Sequence, residues 1–342
     1  MNKVLSLIIP TYNMEAFLEK CLNSLIVDNQ TLLKSLEVIV VNDGSKDNSS
    51  QIAHKYEQLY PETFIVIDKE NGNYGSCINR GLSIASGKYI KVLDSDDHFD
   101  NTVFSDYLEY LSHCDCDLVL NDFSIIDEKD NVTREVKYSF KDYNQIKFSD
   151  LPYKSLAMHG ICYKLKVFSK LNYKQTEGIS YTDQEWIFAP MTRVNTICYY
   201  PGKPLYLYLV GREGQTMSLS SLEKTIGHQL KGLESQLSFY CECDKISKDK
   251  KDYLTARLKH RLYVIYKTYL IDSDKLEIVD ILNFDLRLKS ENVFIYRKTF
   301  GINYKCIHFV AIWRILNRKP LPNLLKFFLK PGFVRKLLIF NK

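Results

Sequence analysis

Short apolar runs alternate with helical patterns along the first 125 residues, and this alternation constrains the fold more than any other feature of the chain. The patterns predict strands over residues 5–9, 37–41, 64–68, 89–93 and 117–121. They predict helices over residues 15–26, 49–59 and 76–85. Alternation of this kind is typical of an α/β fold in which helices flank a mostly parallel sheet.

The second half of the chain has a different pattern. Beyond about residue 125 the pattern is looser, and strands are hard to place through residues 201–209. From residue 222 to about 282 the apolar spacing is helical, with one stripe formed by Tyr253, Leu254, Leu258, Leu262 and Ile265. A chain of 342 residues can bury one large core and a smaller second one. We therefore predict a sheet domain over residues 1–220 and a mainly helical region over residues 221–342.

No uninterrupted apolar run approaches the roughly 20 residues that span a bilayer. The first residues indicate a buried strand and lack a small-residue cleavage site, so we expect a cytoplasmic protein. The nine cysteines form neither CxxC pairs nor regular combinations with histidine. We expect them to be reduced and mostly buried, as in a reducing compartment.

The positive charge of the chain is concentrated at its end. From Gly301 to Lys342 there are nine Lys or Arg and no Asp or Glu, whereas the whole chain carries +5, so residues 1–300 carry about −4. Residues 305–342 mix these cations with large apolar side chains, as basic amphipathic helices on anionic membranes do. Two interpretations stay open: peripheral attachment to the inner face of the plasma membrane, or packing on the protein or on a second copy in a homo-oligomer. No motif for reading nucleic acid accompanies the charge, so we expect no nucleic-acid partner.

Three carboxylates follow the predicted strand over residues 89–93, in the segment Asp94-Ser95-Asp96-Asp97. An Asp-x-Asp pair at a strand end can direct oxygen ligands at one divalent cation, which neutralises a diphosphate. A polar turn with helix-capping aspartates explains the same residues. Because ligands of parallel sheets bind beyond the carboxyl ends of the strands, the position favours a binding site.

Two further polar segments follow predicted strands. Asp43 comes directly after the strand over residues 37–41, where its carboxylate could accept hydrogen bonds from a base or ribose. The loop over residues 70–76 contains Gly72 and leads into a helix with Asn79 and Arg80, so its backbone amides and this guanidinium could hold an anion. Well-capped turns explain both segments equally well. Neither is a dinucleotide or P-loop fingerprint.

Taken in order, these segments resemble the family 2 glycosyltransferases of bacteria. The resemblance covers about residues 3–215, and its motifs occur in the family's order and at its usual spacing. The matching segments are Pro10-Thr11-Tyr12-Asn13, Val41-Asn42-Asp43-Gly44-Ser45-Lys46-Asp47, Glu70-Asn71-Gly72, Asn79-Arg80-Gly81-Leu82, Gly87-Lys88-Tyr89-Ile90 and Leu93-Asp94-Ser95-Asp96-Asp97.

The resemblance implies a GT-A fold, a Rossmann-like sheet flanked by helices, and an inverting transfer from a nucleotide-sugar, usually a UDP-sugar with Mn²⁺ or Mg²⁺. It implies that Asp96 is the metal ligand and that the metal carries the charge of the leaving diphosphate. The nucleotide-sugar site that it implies consists of Pro10, Thr11, Tyr12, Asn13, Glu15, Asp43, Gly72, Asn79, Arg80, Asp94 and Ser95.

The family's general base is usually the aspartate of a Glu-Asp pair, and the matching segment here begins Thr182-Asp183. The resemblance therefore assigns the base to Asp183, with Glu185 in reserve. Thr182 stands where the family generally has Glu, which removes one negative charge beside Asp183. A capping box between Thr182 and Glu185 fits the same segment.

The resemblance also places elements for the acceptor and a lid. His159 and Trp186 would lie on the acceptor side, although a buried structural histidine is an equally simple interpretation of His159. Residues 208–218 resemble the flexible loop that closes over the donor, with glycines that permit motion. In that loop Arg212, Gln215 and Ser218 would donate hydrogen bonds to the leaving group; a plain polar loop is the alternative.

We therefore expect an inverting, metal-dependent glycosyltransferase that adds one sugar to a surface polysaccharide or a lipid-linked saccharide. Two other classes stay open. A nucleotidyltransferase would need a glycine-rich basic loop after the first strand, where this chain has Pro10-Thr11-Tyr12-Asn13. A degenerate protein that binds a nucleotide-sugar without turnover has its one support in Thr182.

Overall fold

The computed structural model describes residues 2–169, 171–211, 219–242 and 246–329. The chain divides into two compact units, Met1–Gln215 and Thr216–Lys342. The division lies close to the boundary expected near residue 220. Both sheets belong to the first unit, and the second unit consists mainly of helices.

The strands of the first unit are short and mostly buried. In chain order they are β1 (Leu5–Thr11), β2 (Leu36–Asn42), β3 (Phe64–Asp68), β4 (Tyr89–Val92), β5 (His98–Phe99), β6 (Leu118–Leu120), β7 (Phe123–Ile126), β8 (Val132–Val136), β9 (Ile161–Lys164), β10 (Ile197–Tyr199) and β11 (Tyr206–Leu209). Its helices are α1 (Glu15–Asn23), α2 (Gln30–Ser35), α3 (Ser49–Leu59), α4 (Asn73–Ile84), α5 (Asn101–His113), α6 (Lys166–Ser169) and α7 (Asp183–Phe188). Short 3₁₀ helices occur at Phe148–Asp150, Met158–Gly160 and Pro190–Thr192.

The larger sheet has seven strands in the order β10-β6-β9-β4-β1-β2-β3. Strands β4, β1, β2 and β3 are parallel to one another, and so are β10 and β6. Strand β9 is antiparallel to both of its neighbours. Every residue of β1 and β2 is buried, as expected for strands covered on both faces. The prediction of a mostly parallel sheet flanked by helices is confirmed.

A second sheet of four strands has the order β5-β11-β7-β8. Its strand β11 pairs in parallel with β7 and antiparallel with β5. Strand β11 lies within residues 201–209, where the sequence pattern did not predict a strand clearly. This sheet brings the tyrosines of β11 to the carboxyl end of β4.

The second unit contains α8 (Leu219–Cys241), α9 (Lys248–Lys267), α10 (Ile278–Glu291), α11 (Val293–Lys298), α12 (Phe309–Ile315) and α13 (Asn323–Leu329), with a π-helical turn at Thr268–Asp272 and a 3₁₀ turn at Thr299–Gly301. The predicted apolar stripe on α9 is buried at all five positions. A buried ion pair links Asp285 of α10 to Arg314 of α12 at 2.5 Å. Among the described helices, none is long and apolar enough to cross a membrane.

The cysteines differ in part from the expectation of reduced thiols. Cys116 and Cys198, next to each other where β6 and β10 begin, form a disulfide with a Cα–Cα distance of 6.0 Å. Cys21, Cys77 and Cys162 are free and buried, as expected. The pairing joins positions 82 residues apart, which the spacing of the sequence does not reveal.

Candidate active site

The carboxyl ends of three neighbouring strands meet at one edge of the larger sheet. The Asp43 amide, after β2, donates to the Thr11 carbonyl of β1 at 2.8 Å. The Ser95 hydroxyl, after β4, donates to the Pro10 carbonyl of β1 at 2.9 Å. The motifs predicted to lie together are therefore in direct contact.

Asp43 is almost fully buried, and its carboxylate has fixed partners. Oδ1 accepts hydrogen bonds from the Gly72 amide at 2.9 Å and from the Lys69 ammonium at 2.5 Å. The Lys69 ammonium also donates to the hydroxyl of Ser76 at 2.9 Å. Lys69 is a site residue that the sequence interpretation missed, although its position directly after β3 satisfies the same strand-end rule.

The turn after β1 is hydrogen-bonded to the turn after β2 and carries one exposed aromatic ring. Asn13 accepts from the Lys46 amide at 2.7 Å, and Glu15 accepts from the amide and the side chain of Asn48 at 2.9 and 2.8 Å. Thr11 is buried, whereas 45% of Tyr12 is exposed. In this arrangement Asn13 and Glu15 join two turns, and the exposed ring of Tyr12 is accessible to a ligand.

The three aspartates after β4 have different surroundings. Asp94 and Asp96 are half-buried, and Asp97 is 1% exposed. Asp94 Oδ1 accepts from the hydroxyl of Tyr74 at 2.9 Å. Burial raises the pKa of Asp97 well above its ordinary value, and the neighbouring charges of Asp94 and Asp96 raise it further. This mutual repulsion favours a bound cation near the cluster.

The donor set fits a hard or borderline divalent ion. Ligand atoms of Asp94, Asp97 and His159 lie within 4.8 Å of one another. Carboxylate oxygens with one imidazole suit Mn²⁺, and oxygens alone suit Mg²⁺. Asp96, the predicted ligand, is not a member of this group, but its charge acts on Asp97.

The charge of Asp183 acts on the same tyrosines as the charges of the carboxylate cluster. Asp183 is the first residue of α7 and accepts from the side chain of Gln184 at 2.8 Å. The pKa of Tyr208 is raised to about 12, chiefly by burial and then by the charges of Asp97, Asp94, Asp96 and Asp183. The pKa of Tyr74 is raised by burial, by Asp94 and by Asp183. Asp183 is therefore near enough to both tyrosines for its charge to act on them, together with the charges of the aspartates after β4.

Two predictions next to Asp183 are corrected. Trp186 is fully buried and stacks on Phe168 at 5.0 Å, so it belongs to the core and not to an acceptor surface. Glu185 is also fully buried, and its Oε2 accepts from the amide and the hydroxyl of Thr176, each at 3.0 Å. Glu185 is thus a fixed part of the scaffold and not an accessible reserve base.

The predicted capping box between Thr182 and Glu185 does not form. Thr182 makes no side-chain cap bond, because its hydroxyl accepts instead from Gln175 Nε2 at 2.8 Å. Main-chain bonds from the Glu185 and Trp186 amides to the Thr182 carbonyl start the helix. The two side chains hold the preceding loop, residues 175–182, in place of capping.

Helix α4 is fastened to that same loop. Asn79 donates to the Gln175 carbonyl at 2.9 Å and to Glu177 at 2.8 Å, and it accepts from the Gln175 amide at 2.8 Å. A Cβ on Gly75 would meet the Thr176 carbonyl oxygen at 2.1 Å, so this close approach requires glycine. Asn79, predicted to contact the nucleotide, uses both amide donors on the loop. Arg80 is exposed and contacts Ser83 at 3.4 Å.

His159 forms one wall of the pocket with tyrosines of β11. Its ring stacks on Tyr208 with a centroid distance of 4.2 Å and lies 4.7 Å from Tyr206. Burial lowers the pKa of His159 to about 3, so the imidazole is neutral. The tyrosines were missed because residues 201–209 gave no clear pattern; their alternation with leucine in Tyr206–Leu209 was the available signal.

Three predicted lid residues lie outside the described part of the chain. They are Arg212, Gln215 and Ser218. Gly211, the last described residue before them, has a φ of +106°, a conformation that favours glycine.

Comparisons with known proteins show what this chain is similar to. Residues 6–170 match the family described as Glycosyl transferase family 2. An uncharacterized glycosyltransferase of Mycoplasma genitalium is 32% identical over 63% of this chain and 70% of its own length. The minor teichoic acid biosynthesis protein GgaB of Bacillus subtilis is 38% identical over 32% of this chain, but the match spans 12% of that longer protein.

The structural comparison concerns the fold. The crystal structure of residues 1–349 of S. aureus TarS has a TM-score of 0.69 at 19% identity, covering 92% of this chain and 88% of that one. TarS has also been solved with UDP and with UDP-GlcNAc. The likeness confirms the predicted GT-A fold. With the strand-end motifs in contact and a relative matched over most of its length, the chain belongs to glycosyl transferase family 2.

Proposed function

We propose that this protein transfers one sugar from a nucleotide-sugar, most simply a UDP-sugar, to a saccharide or lipid-linked saccharide during cell-surface polysaccharide synthesis. The observation that carries the proposal is that Asp43 and the Asp94–Asp97 cluster lie at one edge of the sheet, and that the charge of Asp183 acts on the same tyrosines as the charges of the cluster. The complex of TarS with UDP-GlcNAc supports a UDP-sugar donor, and the teichoic acid relative supports a surface polymer.

The chain's own residues divide the chemistry between two sides of the pocket. Tyr12 and Asp43 bind the base and ribose, and Tyr74 orients Asp94 through its hydroxyl. Asp183 takes the proton of the acceptor hydroxyl as that hydroxyl attacks the anomeric carbon from the opposite face, which inverts the configuration. A divalent ion held by Asp96 beside the group of Asp94, Asp97 and His159 would supply charge stabilisation to the leaving diphosphate.

Release of nucleoside diphosphate from a panel of nucleotide-sugars tests the proposal. We expect one UDP-sugar to be hydrolysed slowly without acceptor in Mn²⁺ or Mg²⁺, and EDTA to abolish the release. Binding of UDP to the Asp96→Ala variant should be the same with and without Mn²⁺. If no nucleotide-sugar binds, the proposal is wrong.

We further propose that the protein is peripheral on the inner face of the plasma membrane, where a lipid-linked acceptor would be presented. Residues 305–342, the basic tail, carry exposed apolar side chains among their cations. Ile315, Phe327 and Phe328 are 76%, 54% and 44% exposed. Phe309 and Trp313 are fully buried, so part of the tail packs within the second unit. Deleting the tail would therefore damage the fold, and surface variants are the better test.

Flotation with vesicles checks the membrane proposal. Phe327→Ser with Phe328→Ser should reduce binding to phosphatidylglycerol vesicles about tenfold or more, because each buried phenylalanine adds apolar contact. Neutral phosphatidylcholine vesicles are the control for charge. Equal binding of the variant and the wild type to anionic vesicles would contradict this part of the proposal.

A further inference from the structure

Lys91 is a fully buried lysine in the middle of β4, and its burial lowers the pKa of the side chain to about 7. Its ammonium donates to the His159 carbonyl at 2.6 Å, to the Ile161 carbonyl at 3.0 Å and to Asn121 Oδ1 at 3.1 Å. These three bonds use all the donors of an ammonium group. Burying a charge against neutral oxygens is costly, so a side chain of this kind needs a reason to be there.

The side chain of Lys91 bonds to the start of β9 in place of main-chain pairing between β4 and β9. Strand β9 pairs with β4 at Tyr89 and Ile90, and this pairing stops before Lys91. At that point the lysine side chain bonds to the start of β9 and to the 3₁₀ turn before it. The ammonium thus continues the connection between two strands where the main-chain ladder ends.

The carbonyl that Lys91 holds belongs to His159, which forms the pocket wall. The same carbonyl accepts from Asn121 Nδ2 at 3.3 Å, so two donors fix it. The ammonium of Lys91 also lies 5.7 Å from the ring centroid of Tyr206. The hydroxyl of Tyr206 donates to Asp97 at 2.6 Å and accepts from the Asp94 amide at 3.1 Å. The side chain of Lys91 therefore bonds to the main chain of His159 and lies beside the ring of Tyr206.

We propose that Lys91 is a positioning residue for sugar transfer: it fixes the wall of His159 and Tyr206 against which Asp94 and Asp97 are held. The kinetic part of this inference rests on the proposed function. The base and ribose side of the site, at Tyr12 and Asp43, is attached to β1 and β2 and not to this wall. Loss of Lys91 should therefore lower the rate of the chemical step and leave nucleotide affinity nearly unchanged.

The kinetic test compares Lys91→Met with Lys88→Met. Methionine is similar in length to lysine but has neither charge nor donors. Lys88 lies at the other end of β4 and also bonds to a main-chain carbonyl, that of Cys114. We expect kcat for UDP release to fall about tenfold or more in Lys91→Met, with KM within about threefold, and little change in Lys88→Met. An unchanged kcat, or a rise in KM alone, would overturn the proposal.

A second measurement does not depend on turnover. The ring protons of His159 lie against Tyr208, so the tyrosine's ring current should displace their NMR signals, and His159→Gln identifies them. We expect Lys91→Met to move these signals toward ordinary histidine values, and Asn121→Ala to move them in the same direction. Signals at their wild-type positions in both folded variants would overturn the placement of the wall by Lys91, even if no nucleotide-sugar proves to be a substrate.

Discussion

The hydroxyl of Tyr206 donates a hydrogen bond to Oδ2 of Asp97 at 2.6 Å, across 109 positions of sequence. The other oxygen, Oδ1, accepts from the Leu209 amide at 2.8 Å. Strand β11 therefore holds both oxygens of the third aspartate in the cluster. Asp97 is anchored in the scaffold, whereas Asp94 and Asp96 are half-buried.

Replacing Tyr206 by phenylalanine should destabilise the protein by about 1–3 kcal/mol, because a buried carboxylate loses a donor. Urea unfolding measures this change. Tyr60→Phe is the control: that ring packs on Phe64, and its hydroxyl makes no hydrogen bond within the residues that the structure describes. Equal stability of the two variants would show that the Tyr206–Asp97 bond contributes nothing.

The approach of α4 to the loop before Asp183 gives a second prediction. Gly75→Ala places a methyl group against main-chain atoms of Thr176, so we expect a loss of about 1–3 kcal/mol. Gly227→Ala, in α8, meets nothing within 4 Å among the described atoms and should stabilise its helix by up to about 1 kcal/mol. Thermal unfolding compares the two. If Gly75→Ala left the stability unchanged, the loop would be free to move away from the added methyl group.

Variants of Asn79 distinguish a nucleotide contact, which the sequence predicted, from a structural bond to the loop before Asp183. Because the amide of Asn79 bonds to residues 175 and 177, we expect Asn79→Ala to destabilise the loop and to change UDP affinity by less than about threefold. Tyr12→Ala should weaken UDP binding about tenfold or more, because the exposed ring is free to stack on a base. Calorimetry with UDP measures both. A loss in Asn79→Ala as large as that in Tyr12→Ala would restore the nucleotide contact expected from the sequence.

The fold near the site was predictable where its causes are local. The bounds of β3 and α3 agree with the predicted segments, since alternation and helical spacing are visible within a few residues. Asp43 and Asp94 were found because strand ends are recognisable in sequence. The function of Asn79 was not, since its partner Gln175 lies 96 positions away. The resemblance predicted Trp186 on the acceptor side, whereas its packing on Phe168 depends on tertiary contacts that the local sequence does not show.

His54 should make stability depend on pH. Its two ring nitrogens contact Asp68 and Glu57, each at 2.8 Å, and these bonds raise the pKa of His54 above its ordinary value of 6.5. The folded protein therefore binds this proton more tightly than the unfolded chain. The stabilisation is complete below pH 6.5 and is lost as pH rises through the raised pKa.

Unfolding temperatures of the wild type and His54→Gln at several pH values test this dependence. The unfolding temperature of the wild type should exceed that of His54→Gln most at pH values below 6.5, and this difference should become smaller in alkaline buffer. A constant difference across the range would show that His54 does not change its protonation between the two states.

We propose above all that Asp183 is the general base of the transfer reaction at the site of Asp94 and Asp96. The most direct measurement is UDP release by Asp183→Asn, with donor binding followed by calorimetry on the same sample. We predict donor affinity equal to that of the wild type and a rate lower by about 10²–10⁴-fold. Turnover near the wild-type rate, with donor bound normally, would contradict the claim and assign the base to another residue.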